Sequence, residues 1–480
     1  MRARLCPRPT LTLPAFVLFA ACVGCAAPPP APPLSPDAQA AALEARRLDD
    51  PRLLAFIRAA ERLDPGGGDV ATGPPPWTLR RLTLAALYFH PDLDVARSAL
   101  ALAEAGKVTA GERPNPNVAF VPPPFLFGGV VNAVIETGGK RAARLATAGA
   151  LAEAARADLV TAGWQVRGAV RDAMQALWAA RQRASMLAAE AAAQRKLAAA
   201  EDARLEAGAA SAAEVSQAHI ATASLATAIS DNARATAEAE VALAGAIGVP
   251  ASSLRGVALD FGRFDHPPAL AADLAEGRLR RAALIGRSDV KAELAAYAAA
   301  QGALREQLAN RYPNLVLSPG YNWYQGINAF ALAPGFDLPI LNQNQGRIAE
   351  ATARRDQAAA RFVALQARII AALDRAGADC RASEAGLREA DALLAAEARR
   401  AREVAGAFRA GAADQPALLA SETDLAHARR AWFEARVAAL TAIGELEDAL
   451  RQPLFDPGAT LPDLAAPPRA EFAGAESPGR

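Results

Sequence analysis

The feature that most constrains this 480-residue chain is that it is written twice. Ala86-Leu87, with Asp92-Leu93 following, returns as Ala283-Leu284 with Asp289-Val290, an offset of 197 residues. Pro116-Asn117-Val118 returns at the same offset as Pro313-Asn314-Leu315. Ala207-Gly208 and Ser211 return as Ala410-Gly411 and Asp414 at an offset of 203, and Leu243 and Pro250 return there as Leu446 and Pro453. Each match is short, and the inference rests on their order and constant spacing. Whatever one copy forms, the other must form beside it. The expected division is a leader over 1–25, a Pro/Ala-rich segment over 26–78, a first repeat over 79–250, a linker over 251–282, a second repeat over 283–453 and a Pro/Ala-rich tail over 454–480.

Within each copy the order is the same. A helix (about 79–110, then about 289–310) ends at a Pro-Asn pair, since the residue before proline avoids helical geometry. Two extended segments follow, then a very long helix, a Gly-containing turn and a second long helix. The long helices carry a three-four spacing: Leu145, Ala148, Ala152, Ala155, Leu159, Ala162, Val166, Ala169, Ala173 and Ala176. In the second copy Ile348, Ala351, Ala358, Phe362, Leu365, Ile369 and Ala372 keep a similar seam, interrupted by Arg355. Such a seam predicts coiled-coil packing. A continuous helix from Arg141 to Glu206 would run about 100 Å at 1.5 Å per residue. Hydrophobic residues make up 52% of the chain but aromatics only 5%, the excess being alanine. Alanine favours helix and close helical approach, so long thin packing is expected rather than a thick core.

The extended segments narrow the fold further. In Leu315 to Tyr324 one face reads Leu315, Leu317, Tyr321, Trp323 and the other Val316, Ser318, Gly320, Asn322, Tyr324. Its partner, taken as Leu332 to Ile340, alternates in the same way; the first-copy strands, Val118 to Val121 and Val130 to Ile135, alternate less cleanly. Period-two alternation over eight to ten residues is what a membrane β-strand requires. Tyr321, Trp323 and Tyr324 suit an aromatic girdle at the membrane interface. Two strands per copy give four per chain. Four strands cannot close a barrel, and an open edge is not tolerated in lipid. Several chains must pool their strands, and three would supply twelve.

Arg2 to Arg8 and the apolar stretch Leu11 to Ala21 read as an export signal, too short for a bilayer-spanning helix. Small residues precede Cys22 and again Cys25, in the manner of a bacterial lipobox, so lipidation at Cys22 or Cys25 is expected. Beyond the leader Cys380 is the single cysteine, which excludes a disulfide framework. Without the leader arginines the chain holds 49 basic and 51 acidic residues, and no basic stripe of the kind nucleic acid requires is evident.

With these residues in view, the stretch from Trp77 to Pro453 resembles the TolC-type outer-membrane efflux proteins. The likeness is carried by Asn115-Pro-Asn117, Thr137-Gly-Gly-Lys-Arg141, Tyr312-Pro-Asn314, the run Leu338 to Gly346, and the turns at Gly208 and Gly411. The Gly-Gly-Lys-Arg form resembles the CzcC-like heavy-metal branch. The resemblance implies a mainly α fold with membrane β: a duplicated unit of long antiparallel coiled-coil helices plus β-hairpins. Three chains would form a 12-strand barrel continuous with an α-helical periplasmic tunnel, the inter-repeat linker lying at its equator. It further implies a homotrimer in the outer membrane reaching into the periplasm, conducting solutes passively. Its partners would be a periplasmic adaptor (membrane fusion) protein, an inner-membrane transporter of the resistance-nodulation-division type and outer-membrane lipid. Gly138, Gly139 and Gly346 fall at strand-helix junctions. Gly208, Ser211, Gly411 and Asp414 form tip turns where family members meet the adaptor. Aspartates constrict the tunnel entrance in the family; here the stretch from Asp414 to Ala420 has alanines where such a ring is expected.

No chemistry of another kind stands out. His90, His219, His266 and His427 are far apart and lack metal-ligand spacing, Gly138-Gly139 lacks the phosphate-loop context, and no enzyme, metal or cofactor is expected. Two other readings share these features: a type I secretion duct, and a lipid-anchored periplasmic coiled-coil scaffold or adaptor without a pore. An adaptor would show one helical hairpin nested in β-rich halves, not tandem copies with membrane-length hairpins.

Overall fold

The structure is a computed structural model and describes residues 33–63, 76–121, 127–267, 278–456 and 461–465. The chain divides into two compact units, 1–45 and 46–480. In the first, the described part is helix α1 (Pro36–Glu44), started by Ser35, whose side chain accepts the Ala38 amide at 3.4 Å. Cys22 and Cys25 lie outside the described residues.

The second unit is mostly helical. Its elements are α2 (Pro51–Leu63), α3 (Leu79–Phe89), α4 (Pro91–Gly111), β1 (Asn117–Val121), β2 (Phe127–Ile135), α5 (Lys140–Glu206), α6 (Ala212–Ile247), the short α7 (Gly262–Asp265), α8 (Arg278–Gly286), α9 (Ser288–Ala309), β3 (Leu315–Tyr324), β4 (Ile327–Gly335), α10 (Gln345–Arg409) and α11 (Gln415–Leu450). A 3-10 turn, Ala251–Leu254, follows α6. Helix, hairpin and two long helices therefore occur twice, down to a break in the leading helix. The first leading helix is broken: His90 is extended (φ −68°, ψ 125°) because Pro91 follows, and its Nδ1 caps α4 by accepting the Asp92 amide. The second leading helix is broken at the equivalent residue, 197 positions on: Arg287 is extended (φ −60°, ψ 146°) between α8 and α9, here with no proline after it.

The four strands form one antiparallel sheet in the order β1-β2-β3-β4. β4 lies five residues earlier in the chain than the alternation suggests, spanning Ile327–Gly335 instead of 332–340. The cause is the turn. Gln325 and Gly326 both have positive φ (47° and 85°), forming a two-residue hairpin that pairs Tyr324 with Ile327 at once. Pairing then ends at Val316–Gly335, so Phe336 to Ile340 lie beyond the strand.

The helices form a row beneath the sheet. α5 packs against α4 and α9, and α9 against α10, while the lower halves of α5 and α10 pair with α6 and α11. The long thin packing expected from alanine holds for the upper row but not between Val166 and Ala180. There α5 is buried almost all round, and Trp178 stacks with Phe264 and Phe433 while donating to Asp265 at 3.0 Å. The a/d seam shifts with it: Ala169 and Ala176 are exposed, and Val170, Met174 and Leu177 are buried instead. On α10 the seam likewise moves from Ala372, which is exposed, to Leu373.

Candidate functional site: an open sheet and two helical tips

The sheet has two unlike faces, because side chains alternate along each strand. Register aligns Val118, Phe120, Val131, Leu317, Tyr321, Trp323, Phe330 and Leu332 on one face. The other carries Asn117, Ala119, Asn132, Ser318, Gly320, Asn322, Ala329 and Ala331, together with Val130, Val134, Val316 and Ile327. The first face is apolar and open to its surroundings; Phe330 is 83% exposed and Leu332 68%. Tyr321 and Trp323 belong to it, Tyr321 packing on Phe330 with ring centroids 5.2 Å apart, whereas Tyr324 lies on the opposite face next to the hairpin turn. The second face is mixed and the more polar of the two: its asparagines and Ser318, which donates to Asn132 at 2.8 Å, lie among small residues and valines. An apolar outside and polar inside is the pattern of a membrane barrel wall.

This wall is incomplete. β1 and β4 each have one unpaired edge, and the helices that attach to them, α4 and α10, are the two ends of the helical row. Both ends carry bare packing surface. On α4, opposite the seam of Leu93 and Leu100 that meets α5, Val95 and Leu102 are exposed, Leu102 by 75%. On α10, opposite the Ala351 and Ala358 seam, the exposed residues are Ala349, Ala353, Ala360, Ala364, Ala367 and Ala371. Sheet and helical row are thus open at the same two elements.

The junctions between strand and helix bring together motifs far apart in sequence. Gly138 (φ 68°) and Gly139 (φ 77°) turn β2 into α5. Gly138 is doubly constrained, since a Cβ there would lie 3.0 Å from the Ala309 carbonyl. Thr137 Oγ1 donates to the Pro313 carbonyl and Lys140 Nζ to Asn314 Oδ1, both at 2.5 Å, so Thr137-Gly-Gly-Lys meets Tyr-Pro-Asn314. Hydrogen bonding from Arg144 holds the Glu136 carboxyl below its usual range. At the second junction Gly346 lies within the first turn of α10, and the left-handed residue is Asn344 (φ 65°), whose Nδ2 donates to the Gln307 carbonyl at 2.7 Å. Asparagine tolerates that region, which is why no glycine is needed.

At the far ends of the long helices the two turns match. Gly208 (φ 71°) and Gly411 (φ 73°) each close a helix with paired bonds, Ala209 N to Arg204 O and Gly208 N to Leu205 O in the first, Ala412 N to Ala407 O and Gly411 N to Phe408 O in the second. Ser211 starts α6 in a capping box with Glu214, and Asp414 starts α11 by accepting the Ala417 amide at 3.0 Å. Gly208 and Gly411 have open space around them.

Sequence reasoning missed a buried ionic cluster. Arg171 binds Glu447 at 3.2 Å and Asp448 at 2.8 Å, Arg167 binds Glu447 at 3.3 Å, and Glu447, 1% exposed, also accepts the amides of Leu454 and Phe455. Burial works against the Arg171 cation, but the hydrogen bond and charge of Asp448 outweigh it and raise its pKa. Only Arg167 and Arg171, one helical turn apart near an apolar seam, hinted at it. Among the described residues no three His, Cys, Asp or Glu side chains group so as to hold a metal ion, and no helix is long and apolar enough to cross a membrane.

No protein-family model matches the sequence, nor does any curated protein. Solved structures do. The outer-membrane channel OprN is 20% identical, with a TM-score of 0.66 over 78% of this chain and 89% of that one. The outer membrane protein VceC of Vibrio cholerae is 20% identical, with a TM-score of 0.63 over 78% and 95%. The open state of the Neisseria gonorrhoeae MtrE outer membrane channel is 16% identical, with a TM-score of 0.60 over 80% and 91%. At these identities the likeness speaks for architecture: the chain has the fold of the TolC-type outer-membrane channels.

Proposed function

We propose that this chain is one third of a trimeric outer-membrane duct that passively conducts solutes from the periplasm or an inner-membrane pump to the exterior. The observation that carries this reading is the shared opening of sheet and row. Backbone groups at the edges of β1 and β4 must be paired before the sheet can stand in lipid. A second copy supplies both needs at once, β4 beside β1 and the alanine face of α10 beside Val95 and Leu102 of α4. Small residues on one helix accept larger apolar ones from the other, as knobs fit holes. Three copies give a twelve-strand barrel, within the size range of membrane barrels. Its apolar face, with Tyr321 and Trp323, meets lipid, and its polar face lines the bore. The tips at Gly208, Ser211, Gly411 and Asp414 are the docking points for a periplasmic adaptor that links the duct to an inner-membrane transporter. A lipid on Cys22 or Cys25 would add a second anchor.

Native mass measurement in detergent tests the assembly, with three chains expected. Cysteines placed at Leu102 and, in turn, at Ala349, Ala353 and Ala360 of a Cys380→Ser chain should give one pair that cross-links between chains. A folded monomer released from membranes by a salt wash, with no inter-chain cross-link, would overturn the reading.

A further inference from the structure

The upper half of α10 carries a pattern that the duct reading does not use. Arg347, Arg354, Arg361, Arg368 and Arg375 recur at intervals of seven, and all five are exposed. Seven residues fall about 20° short of two full turns, so the five form one gently drifting stripe about 42 Å long. An ordinary solvated helix face would set acids among them at three or four residues. Here Arg354 pairs with Glu350 at 3.1 Å, while Arg347, Arg361, Arg368 and Arg375 have no carboxylate within ion-pair distance among the described residues. From Gln357 to Leu373 the helix holds no acid at all. The lower half of the same helix is mixed, with Arg388 beside Glu389 and Arg402 beside Glu403.

The stripe is not part of the seam with α9, nor of the alanine face. On a 3.6-residue wheel it sits about 80° to one side of the Ala351–Ala358–Ile369 seam, with the alanine face at about 180° and Val363 and Ile370 on the other flank. It therefore lies on one of the two broad faces of the helical wall. Handedness decides which. The two-residue hairpin makes Tyr324–Ile327 a hydrogen-bonded pair, so the amide and carbonyl of Tyr324 point at β4. For an L-residue viewed with its side chain toward the observer and the chain running upward, those groups point right. With the polar face toward the observer, β4 is then to the right of β3, and α10 stands to the right of α9 beneath them. α10 descends from the sheet as a right-handed helix, and the arginines trail the α9 seam in its sense of rotation. That turns them to the side of Ser318, Gly320 and Asn322.

Resting on the duct reading, we propose that this arginine stripe lines the bore below the barrel and makes the conduit selective for anionic solutes. Guanidinium groups bind carboxylates, sulfonates and phosphates with paired hydrogen bonds, and three copies would place fifteen in one water-filled tube whose low-dielectric walls focus their field. The same field opposes divalent cations, so the stripe does not favour the heavy-metal cargo that the Gly-Gly-Lys-Arg resemblance suggests.

The test is the reversal potential of the purified trimer in planar bilayers under a potassium chloride gradient. The wild-type chain should pass chloride in preference to potassium. In R361E/R368E the chloride-to-potassium permeability ratio should fall by roughly threefold or more, the effect of about one kT of potential. V363E, on the opposite flank, should leave the ratio unchanged. A retained conductance with an unaltered ratio in R361E/R368E, or a larger shift in V363E, would overturn the inference and leave the duct standing. A trimer that never conducts would instead count against the duct itself.

Discussion

α5 and α10 occupy the same place in the two halves of the chain and are nearly equal in length, 67 and 65 residues, yet 23 residues of α5 are buried and only 7 of α10. Their local sequences do not explain the gap, since both are alanine-rich with a three-four seam. Position does. α5 is interior to the row, flanked by α4 and α9 and met from other sides by α3, α6 and α11, whereas α10 ends the row. The difference teaches that an exposed helix in a duplicated chain is not a spare copy. Its bare faces are where the assembly and the solute path must be sought.

The largest expected effect lies in the thick part of α5. Trp178→Ala removes a side chain packed on Phe264 and Phe433, and its loss of stability should be about 3–5 kcal/mol in denaturant unfolding. Phe362→Ala, on the half-buried seam of α10, should cost less than half of that. Equal losses would break the comparison.

Glycine substitutions sharpen it at smaller scale. A Cβ on Gly444 of α11 would stand 2.9 Å from Nε of Arg171, a guanidinium already fixed by Glu447 and Asp448. Gly444→Ala should therefore destabilise by about 1–3 kcal/mol. On α10 Gly386 has nothing within 4 Å, and Gly386→Ala should raise stability by about 0.5–1 kcal/mol through helix propensity alone. A loss at Gly386 would mean that its face is already packed in the isolated chain. Melting curves on the two variants distinguish these outcomes.

The smallest effect concerns the few buried points of α10. Burial, aided by Glu384 and Asp379, pushes the Cys380 thiol up to about 11, and its Sγ–H donates to the Ala442 carbonyl. Thiolate is the reactive form and is favoured only above that value. Maleimide labelling at pH 8 should be slow in the folded protein and fast after unfolding; rapid labelling of folded protein would place Cys380 on an open surface.

Much of the fold was legible because its signals are local. The long helices, Gly208 and Gly411 with their caps, and the face carrying Tyr321 and Trp323 follow from periodicity and turn chemistry within a few residues. β4 was displaced because alternation continues past Gly335, while the turn at Gln325-Gly326, which fixes register, is a weaker sequence signal than the run of apolar residues after it. Asn344 was overlooked in favour of Gly346 because glycine is the commoner left-handed residue. The heptad of arginines on α10 was readable in the sequence throughout, but a charged residue on a helix carries no direction until its neighbours are known.

The sequence alone determined the element types, their twofold order and the strand count of four, since these depend on backbone propensity and on side-chain period. The tertiary structure decided which side of each helix is covered. It set Arg171 against Glu447 across 276 residues and left α4 and α10 as the open ends of the row. Burial is a property of neighbours brought together from distant parts of the chain, and no window of sequence contains them.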